Sequence, residues 1–527
     1  MPAPSATHDP EVAARRQALL DHLSRLLPDP GQRTAFDEAM STEPPPALRL
    51  NPLMSQAGLL KPAVSAFAEA VPWCDHAFVL TPGRADRCRL GLSLEYALGA
   101  VYIQAKATTL AVEALDPQPG ERVLDLAAAP GGKASHIAAA MANQGLLVVN
   151  EPRRRRMPSL VGNLERLGVH NVVFTQSSGT LLARHFHNFF DRVLLDAPCS
   201  GDGILCKDEA MLRYWSPEDA ARKAQIQIGL LRAAFHMLRP GGVLVYSTCS
   251  LSTEENEDVV AALCHRYPGQ VELLPPLEGI APAPLPPDMA ADYPAEFARV
   301  TRVWPHLHRT EGAFVARLRK IGEPTQWRRC EGDLGRRLEE SDSDSGAPVD
   351  NLADGTADLA GDGSVDSFAD GAADGSIDSV AAVVGAIESC WDFHLSPPDS
   401  AEIAVAGKRI NIRPRCSSTL KTHLPSFIRA GMRLASRHKG YAYLSQQSVT
   451  LWGHLMDGPS VELTWSQVQE AFREGQVQLR EPLSLRGDVI CRFGPWTVCR
   501  GLIESGVLKA SIPKILRTSE LCRLTGV

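Results

Sequence analysis

The sequence predicts an α/β protein built on a doubly wound parallel sheet, and three strand-to-helix junctions carry that prediction. Val123-Leu124-Asp125-Leu126 runs into Ala127-Ala128-Ala129-Pro130-Gly131-Gly132-Lys133. Arg192-Val193-Leu194-Leu195 runs into Asp196-Ala197-Pro198-Cys199-Ser200-Gly201. Val243-Leu244-Val245-Tyr246 runs into Ser247-Thr248-Cys249-Ser250. Short apolar, β-branched runs of this kind read as strands buried on both faces. Ligands of open parallel sheets gather at the carboxyl ends of the strands. Two thiols delivered there by different strands are candidates for one active site.

Taken in order, residues 12–50 read as helices, with Ala13, Leu19, Leu20, Leu23 and Leu27 at helical spacing and Pro44-Pro45-Pro46 as a break. A small mixed segment follows, to about Gly91. From about 96 to 320 strands alternate with helices: strand 122–126, helix 133–142, strand 146–150, a helix near 157–167, strand 171–174, strand 192–195, helix 218–238 and strand 242–247. In the long helix Ile226, Leu230, Leu231, Ala234 and Leu238 make one apolar face, and Gly241-Gly242 stops it. Gly312 to Leu318 is the expected closing strand. The alternation implies βαβ units.

At 527 residues, 44% of them hydrophobic, the chain is long enough for roughly two to four domains. No run of ~18 apolar residues suggests a membrane span, and Met1 to Arg16 lacks the apolar core of a signal peptide. Twelve scattered cysteines without a CxxC pair predict neither a disulfide framework nor a metal site, and fit a reducing cytoplasm. Residues 341–380 hold ten Asp and no Lys or Arg, with Asp recurring every four residues from Asp350 to Asp378. Lacking the ligand spacing of a calcium loop, this tract reads as a disordered acidic linker. Without its ten acids the net charge moves from −7 to +3, which permits a polyanionic partner. From Ala382 onward, short alternating segments suggest a second, β-rich domain. Lys408, Arg409, Arg413, Arg415, Lys421, Arg433, Arg437, His438 and Lys439 crowd its first half, as a solvated surface or an RNA-binding face.

Ala127 to Lys133 makes a tight turn whose small residues let backbone amides approach a ligand. It has neither the dinucleotide G-x-G-x-x-G spacing nor a phosphate loop, which disfavours nicotinamide and nucleoside-triphosphate enzymes. Glu151, closing the next strand, stands where an acid accepts hydrogen bonds from ribose hydroxyls. The two thiols suit a particular problem, because carbon 5 of cytosine is a poor nucleophile. A thiolate adding to carbon 6 makes an enamine that can take a methyl group at carbon 5. A second acid/base group then helps remove the carbon-5 proton and expel the thiolate. The other ten cysteines, including Cys88, Cys264 and Cys499, read as small buried hydrophobes. A cysteine hydrolase is disfavoured, since His136, His170 and His236 form no triad pattern with either thiol.

Ala127 to Lys133, Asp196 to Gly201 and Ser247-Thr248-Cys249-Ser250, in this order and spacing, resemble the Nop/Sun family of RNA cytosine-5 methyltransferases, and most of all its bacterial members acting on small-subunit (16S) ribosomal RNA. Arg49-Leu50-Asn51, Trp73-Cys74, Tyr102-Ile103-Gln104, Asn150-Glu151, Lys207, Tyr214-Trp215-Ser216-Pro217, Pro240-Gly241-Gly242, Glu254-Glu255-Asn256-Glu257, Lys439-Gly440-Tyr441 and Glu462-Leu463-Thr464 extend the likeness. The resemblance implies a class I, Rossmann-like S-adenosylmethionine-dependent methyltransferase domain over 96–320. An RNA-binding segment would precede it (1–95), and an acidic linker (321–385) and a PUA-like RNA-binding domain (386–527) would follow. It implies Cys249 as nucleophile, Cys199 as the cysteine assisting release, and Asp196 as the acid holding the target cytosine. It further implies Ala127, Ala128, Ala129, Pro130, Gly131, Gly132 and Lys133 as the cofactor loop, with Lys133 also near the reacting base, and Glu151 as the ribose acid.

Ser178 occupies the place where the family has an Asp reaching the adenine, which predicts weaker cofactor binding. Ala105-Lys106 and Cys206 also depart from the pattern. Arg153 to Arg156 is a candidate RNA contact. A monomeric, cytoplasmic enzyme with an RNA partner, no metal and no membrane is expected. The same reaction on transfer RNA or another ribosomal site, and a silent RNA-binding or ribosome-assembly protein, stay open.

Overall fold

The computed structural model describes residues 10–81, 90–206, 212, 215–280, 285–322, 380–394, 397, 399–406, 409–424, 426–438, 441–479 and 487–524. Most of the expected acidic linker, residues 323–379, lies outside them, as do Lys207, Tyr214, Lys408, Lys439 and Gly440.

The central sheet contains β1 (Arg122–Asp125), β2 (Leu146–Asn150), β3 (Val172–Thr175), β4 (Phe190–Asp196), β5 (Leu238–Thr248), β6 (Val271–Leu273), β7 (Ala313–Lys320) and β8 (Phe427–Ala430). Their spatial order is β6-β7-β5-β4-β1-β2-β3-β8. Strands β1 to β5 pair in parallel, and β6, β7 and β8 are antiparallel to their neighbours. This is a mixed, Rossmann-like sheet whose order reverses between β1 and β4, the kind of switch point where a crevice opens at the carboxyl ends.

Around it lie α1 (Pro10–Leu23), α2 (Pro30–Met40), α3 (Lys106–Leu115), α4 (Gly132–Ala140), α5 (Met157–Arg166), α6 (Pro217–Met237) and α7 (Glu257–Arg266). Alternate strand residues feed two separate cores, as the pleat requires. Val123, Leu147, Val149, Leu194 and Val245 pack with α3, α4 and α5. Leu124, Val148, Val193, Leu195, Leu244 and Tyr246 pack with α6 and α7. Apolar runs with no polar alternation are what a sheet covered on both faces demands.

The expected helix 218–238 ends one residue early. Met237 is its last residue, and Leu238 is already extended, pairing with Phe190 as β5 begins. Pro240 disfavours helical geometry at Arg239, so Gly241 and Gly242 fall inside the strand instead of ending the helix.

The carboxy-terminal region is β-rich, with one sheet of four strands and one of five. It is more intimately joined to the rest than an appended module would be. β8 extends the central sheet beside β3, and Leu420 and Leu424 are buried in the core under α6. The five-stranded sheet and the helix Trp465–Glu474 share another core with the four-stranded antiparallel sheet of residues 47–103, through Leu48, Phe78 and Val101 on one side and Phe472, Val489 and Val498 on the other. Leu94 N donates to Cys522 O and Leu524 N to the Glu95 carboxylate, so the end of the chain is tied to this amino-terminal sheet. No helix among the described residues is long and apolar enough to cross a membrane.

If the core is shared in this way, Leu420→Ala destabilises the whole unit built on the central sheet by about 2–5 kcal/mol. Urea unfolding followed through the tryptophans tests this. An unshifted transition of the central-sheet unit would mean that the regions fold independently.

Candidate active site

The parallel register of β4 and β5 sets Asp196 opposite Ser247. The two strands therefore end level, and the segments after them carry Cys199 and Cys249 to the same point. Their sulfurs lie 2.9 Å apart, and Cys249 N donates to Cys199 Sγ at 3.3 Å. Both cysteines are free thiols, neither fully buried.

Lys133, in the first turn of α4, reaches Asp196 Oδ2 at 2.7 Å, while Ser247 Oγ donates to Oδ1 at 2.9 Å. Four of the predicted residues (Lys133, Asp196, Cys199, Cys249) thus share one pocket. Burial opposes the charge on Lys133, but Asp196, Asp125 and Cys249 outweigh it, and its pKa is raised. For Cys199 the hydrogen bond with Cys249 and burial both push the pKa well above the ordinary value. Cys199 is thereby held as a neutral thiol.

The glycine at 203 is a steric requirement. Gly203 N donates to Cys249 O at 2.9 Å and Gly312 N to Gly203 O at 2.7 Å. A Cβ on Gly203 would sit 2.5 Å from the Cys249 carbonyl oxygen.

Ala127 to Gly131 forms the turn leading into α4. Gly131 adopts φ 109°, open to glycine and strained for other residues. Asn150, at the end of β2, ties three strand ends together. Its Nδ2 donates to Leu126 O and Ser177 O, and its Oδ1 accepts from Thr175 Oγ1 and Ser177 N. Glu151 is buried beside this knot and accepts from Arg153 N at 2.8 Å. Arg156 reaches back to the same place, donating to Ala129 O and standing 3.3 Å from Glu151 Oε2. Its side chain therefore belongs to the turn, which removes it from the proposed run of RNA contacts, whereas Arg153, Arg154 and Arg155 are exposed. Ser178 stands apart from the cluster. It is exposed, and its hydroxyl caps the short helix Gly179–Leu182 by accepting from Leu181 N at 3.3 Å.

Asp125 was passed over in the sequence because it reads as the last residue of a strand. It is fully buried at the end of β1, and no side chain donates to either carboxylate oxygen. Burial, with repulsion from Asp196, raises its pKa from 3.8 to about 7 although Lys133 opposes the rise. Buried acids around a small-residue turn suit a cationic ligand that has both an ammonium and ribose hydroxyls to offer. Ser247 and Glu255, which also shape the site, lie in stretches that carry the family likeness, whereas Asp202 and Gln227 lack any local pattern that would single them out.

Away from this pocket, Cys74, Glu113 and His136 meet from three elements, their potential ligand atoms all within 4.8 Å. Local spacing gave no hint of it. His136 Nε2 is 3.2 Å from Glu113 Oε1 and 3.9 Å from Cys74 Sγ. Burial and the neighbouring Arg49 guanidinium lower the His136 pKa to about 4, and burial with Glu113 lifts Cys74 to about 12. Arg49 already supplies positive charge here, which opposes a metal cation.

Residues 112–319 match the family model described as 16S rRNA methyltransferase RsmB/F, and residues 16–106 match the N-terminal domain of 16S rRNA methyltransferase RsmF. The chain is also 32% identical to a solved methyltransferase homolog from Pyrococcus horikoshii, covering 99% of that chain and 59% of this one with a TM-score of 0.51.

The chain belongs to the RsmB/F family.

Among its relatives, the ribosomal RNA small subunit methyltransferase F of Erwinia tasmaniensis is 38% identical over 309 residues, 58% of this chain and 63% of that protein. The protein of the same name from Klebsiella pneumoniae is 44% identical over 253 residues, 47% of this chain and 51% of that one. This RsmB/F chain therefore matches between half and two thirds of the length of these relatives. The family-model match over residues 112–319 contains the whole cluster, from Lys133 to Cys249.

Asp125 gives a pH test in this family member. Between pH 3.8 and about 7 the folded protein keeps the Asp125 proton that the unfolded chain has lost. Stability from the protonated form is thus present at low pH, falls as pH rises through this window, and levels off above it. Asp125→Asn, always neutral, is expected to gain on the unmodified protein from about pH 5 to about pH 8 in urea unfolding. A constant difference would place the Asp125 titration outside the window.

Proposed function

We propose that this protein transfers a methyl group from S-adenosylmethionine to carbon 5 of a cytosine in RNA, with 16S rRNA of the small ribosomal subunit as substrate. The observation that carries the reading is the thiol pair beside the Lys133–Asp196 ion pair, at strand ends next to a small-residue turn. Family membership supports the same reaction.

Residues 127–133 and Glu151 are read as the S-adenosylmethionine site, with Glu151 toward the ribose and Ser178 toward the adenine. The cofactor supplies an electrophilic methyl group. Asp125, buried without a donating side chain, fits the cationic end of such a ligand. Asp196, steadied by Lys133 and Ser247, holds the cytosine. The Cys249 thiolate would add to carbon 6, and the electron pair released toward carbon 5 would take the methyl group, whose bond to the sulfonium sulfur breaks to leave a neutral thioether. Cys199, in sulfur contact with Cys249 at 2.9 Å, assists release of Cys249 once a base has taken the carbon-5 proton. The ring double bond then re-forms and Cys249 leaves as thiolate.

An unpaired or extruded cytosine is needed to reach both thiol and methyl donor, which favours RNA over duplex DNA. The carboxy-terminal region acts in this reading as a PUA-like RNA-binding unit. Of its basic residues, Arg413 pairs with Glu402 and Arg415 donates to Asp399 O, so the binding face is narrower than the sequence suggests. The protein works as a cytoplasmic monomer.

Bisulfite sequencing of host RNA with and without the gene tests the function. Loss of one protected cytosine in 16S rRNA is the expected result; loss in transfer RNA would move the substrate, and no loss would favour a silent RNA-binding protein. Cys249→Ser is expected to cut transfer by roughly 10³-fold or more while RNA binding persists. Cys199→Ala should accumulate a denaturant-resistant protein–RNA adduct through Cys249, detectable as a shifted band on a denaturing gel. Absence of that band on a verified substrate would remove the release role.

A further inference from the structure

Two buried carboxylates flank the thiol pair, and each serves the loop of the other. Asp202 lies on the segment after β4, three residues beyond Cys199. Its acceptor contacts run to the segment after β5. Leu251 N donates to Oδ1 at 2.6 Å, and Ser250 Oγ and Ser252 Oγ donate to Oδ2 at 3.0 and 2.7 Å. Glu255 lies on that second segment, beyond Cys249, and reaches the opposite way. Ser200 N donates to Oε2 at 2.9 Å, and the Ser200 hydroxyl donates to Oε1. Gln227 of α6 joins from behind, giving one Nε2 to both Glu255 Oε2 at 2.8 Å and Pro198 O at 3.0 Å.

Both acids are wholly inaccessible to solvent, and no Lys or Arg among the described residues pairs with either. Burying an anion without a cation is costly unless several donors converge on it. Burial raises the pKa of each, and in each case the donors from the other loop oppose the rise. A carboxylate accepts only, with room for about four donors. One Asp side chain can therefore gather three donors from consecutive residues, 250 to 252. An amide would turn its own N–H groups toward some of them.

We propose that Asp202 and Glu255 are positioning residues, a crossed pair of carboxylate clamps that fix the separation of the Cys199 and Cys249 thiols. With one clamp reaching each way, neither loop can shift without stretching bonds made by the other. Gly203, whose N donates to the Cys249 carbonyl at 2.9 Å, closes the same joint. The inference rests on the reading of Cys249 and Cys199 as the reacting thiols, but its test is independent of RNA and cofactor.

The test treats the full-length protein with dibromobimane, a reagent that bridges two neighbouring thiols, and measures the Cys199–Cys249 bridged peptide by mass spectrometry. The unmodified protein should form that bridge. Asp202→Asn and Glu255→Gln should each slow bridging several-fold, and should lower kcat roughly 10- to 100-fold with KM for RNA nearly unchanged. Bridging at the unmodified rate in folded variants overturns the proposal, as does failure of the unmodified protein to bridge. If either carboxylate variant fails to fold, Ser250→Ala and Ser252→Ala, which each remove one donor from Asp202, decide the matter by the same measurement. Slowed bridging in a protein that methylates no RNA would sustain the clamps and refute the proposed function. Lost methylation with bridging intact would do the reverse.

Discussion

Everything in the pocket depends on the parallel pairing of β4 with β5. A parallel ladder brings the carboxyl ends of two strands to the same edge of the sheet, and the Asp196–Ser247 register sets them level. A register slip of one residue would exchange the faces of every side chain along β5. Tyr246 would leave the core beneath α6, and Val245 would leave the core beneath α4. The hydrophobic burial of two cores therefore enforces a distance between two sulfurs. The crossed hydrogen bonds of Asp202 and Glu255 act on loops that this register has already brought close.

Charge is distributed unevenly around the site. Asp125, Glu151, Asp196, Asp202 and Glu255 surround it, and the ammonium of Lys133 is the cation paired directly with the one that faces the thiols. Asp202 and Glu255 are stabilised by donors from neighbouring loops. Asp125 receives no side-chain donor, and burial with repulsion from Asp196 raises its pKa. Such an arrangement weakens the resting protein slightly and favours a cationic ligand, whose binding would restore the missing interaction.

The flanking regions are structurally part of the unit that carries the thiol pair. The amino-terminal sheet and the carboxy-terminal five-stranded sheet share one core, and β8 with Leu420 and Leu424 enters another. Helices α1 and α2 pack against Leu205, Trp215, Leu251 and Trp304, next to both thiol-bearing segments. Any surface that these regions offer to a partner is consequently held in a fixed relation to the two sulfurs, since relative motion would expose buried apolar side chains to water.

What the sequence determined by itself were the features encoded locally. Continuous apolar runs of β-branched residues specify strands buried on both faces, helical periodicity specifies their covering helices, and a turn of alanines and glycines specifies a close approach of backbone to ligand. The family motifs added Cys199, Cys249, Asp196, Lys133 and Glu151, and these lie where strand ends had to put them. Only the tertiary structure decided the rest. The end of α6 depended on whether Leu238 gained more from pairing with Phe190 than from another helical turn. Arg156 was drawn out of a basic run because a buried carboxylate and a carbonyl lay within its reach, and Asp125 became notable only once it was buried with no side-chain donor. Asp202 is an ordinary acid in the sequence and Glu255 only one of a matching acidic stretch with no role assigned, and their partners are about 50 residues away along the chain. Contacts of that kind have no local periodicity to betray them, because they are made by whichever groups the sheet register brings together.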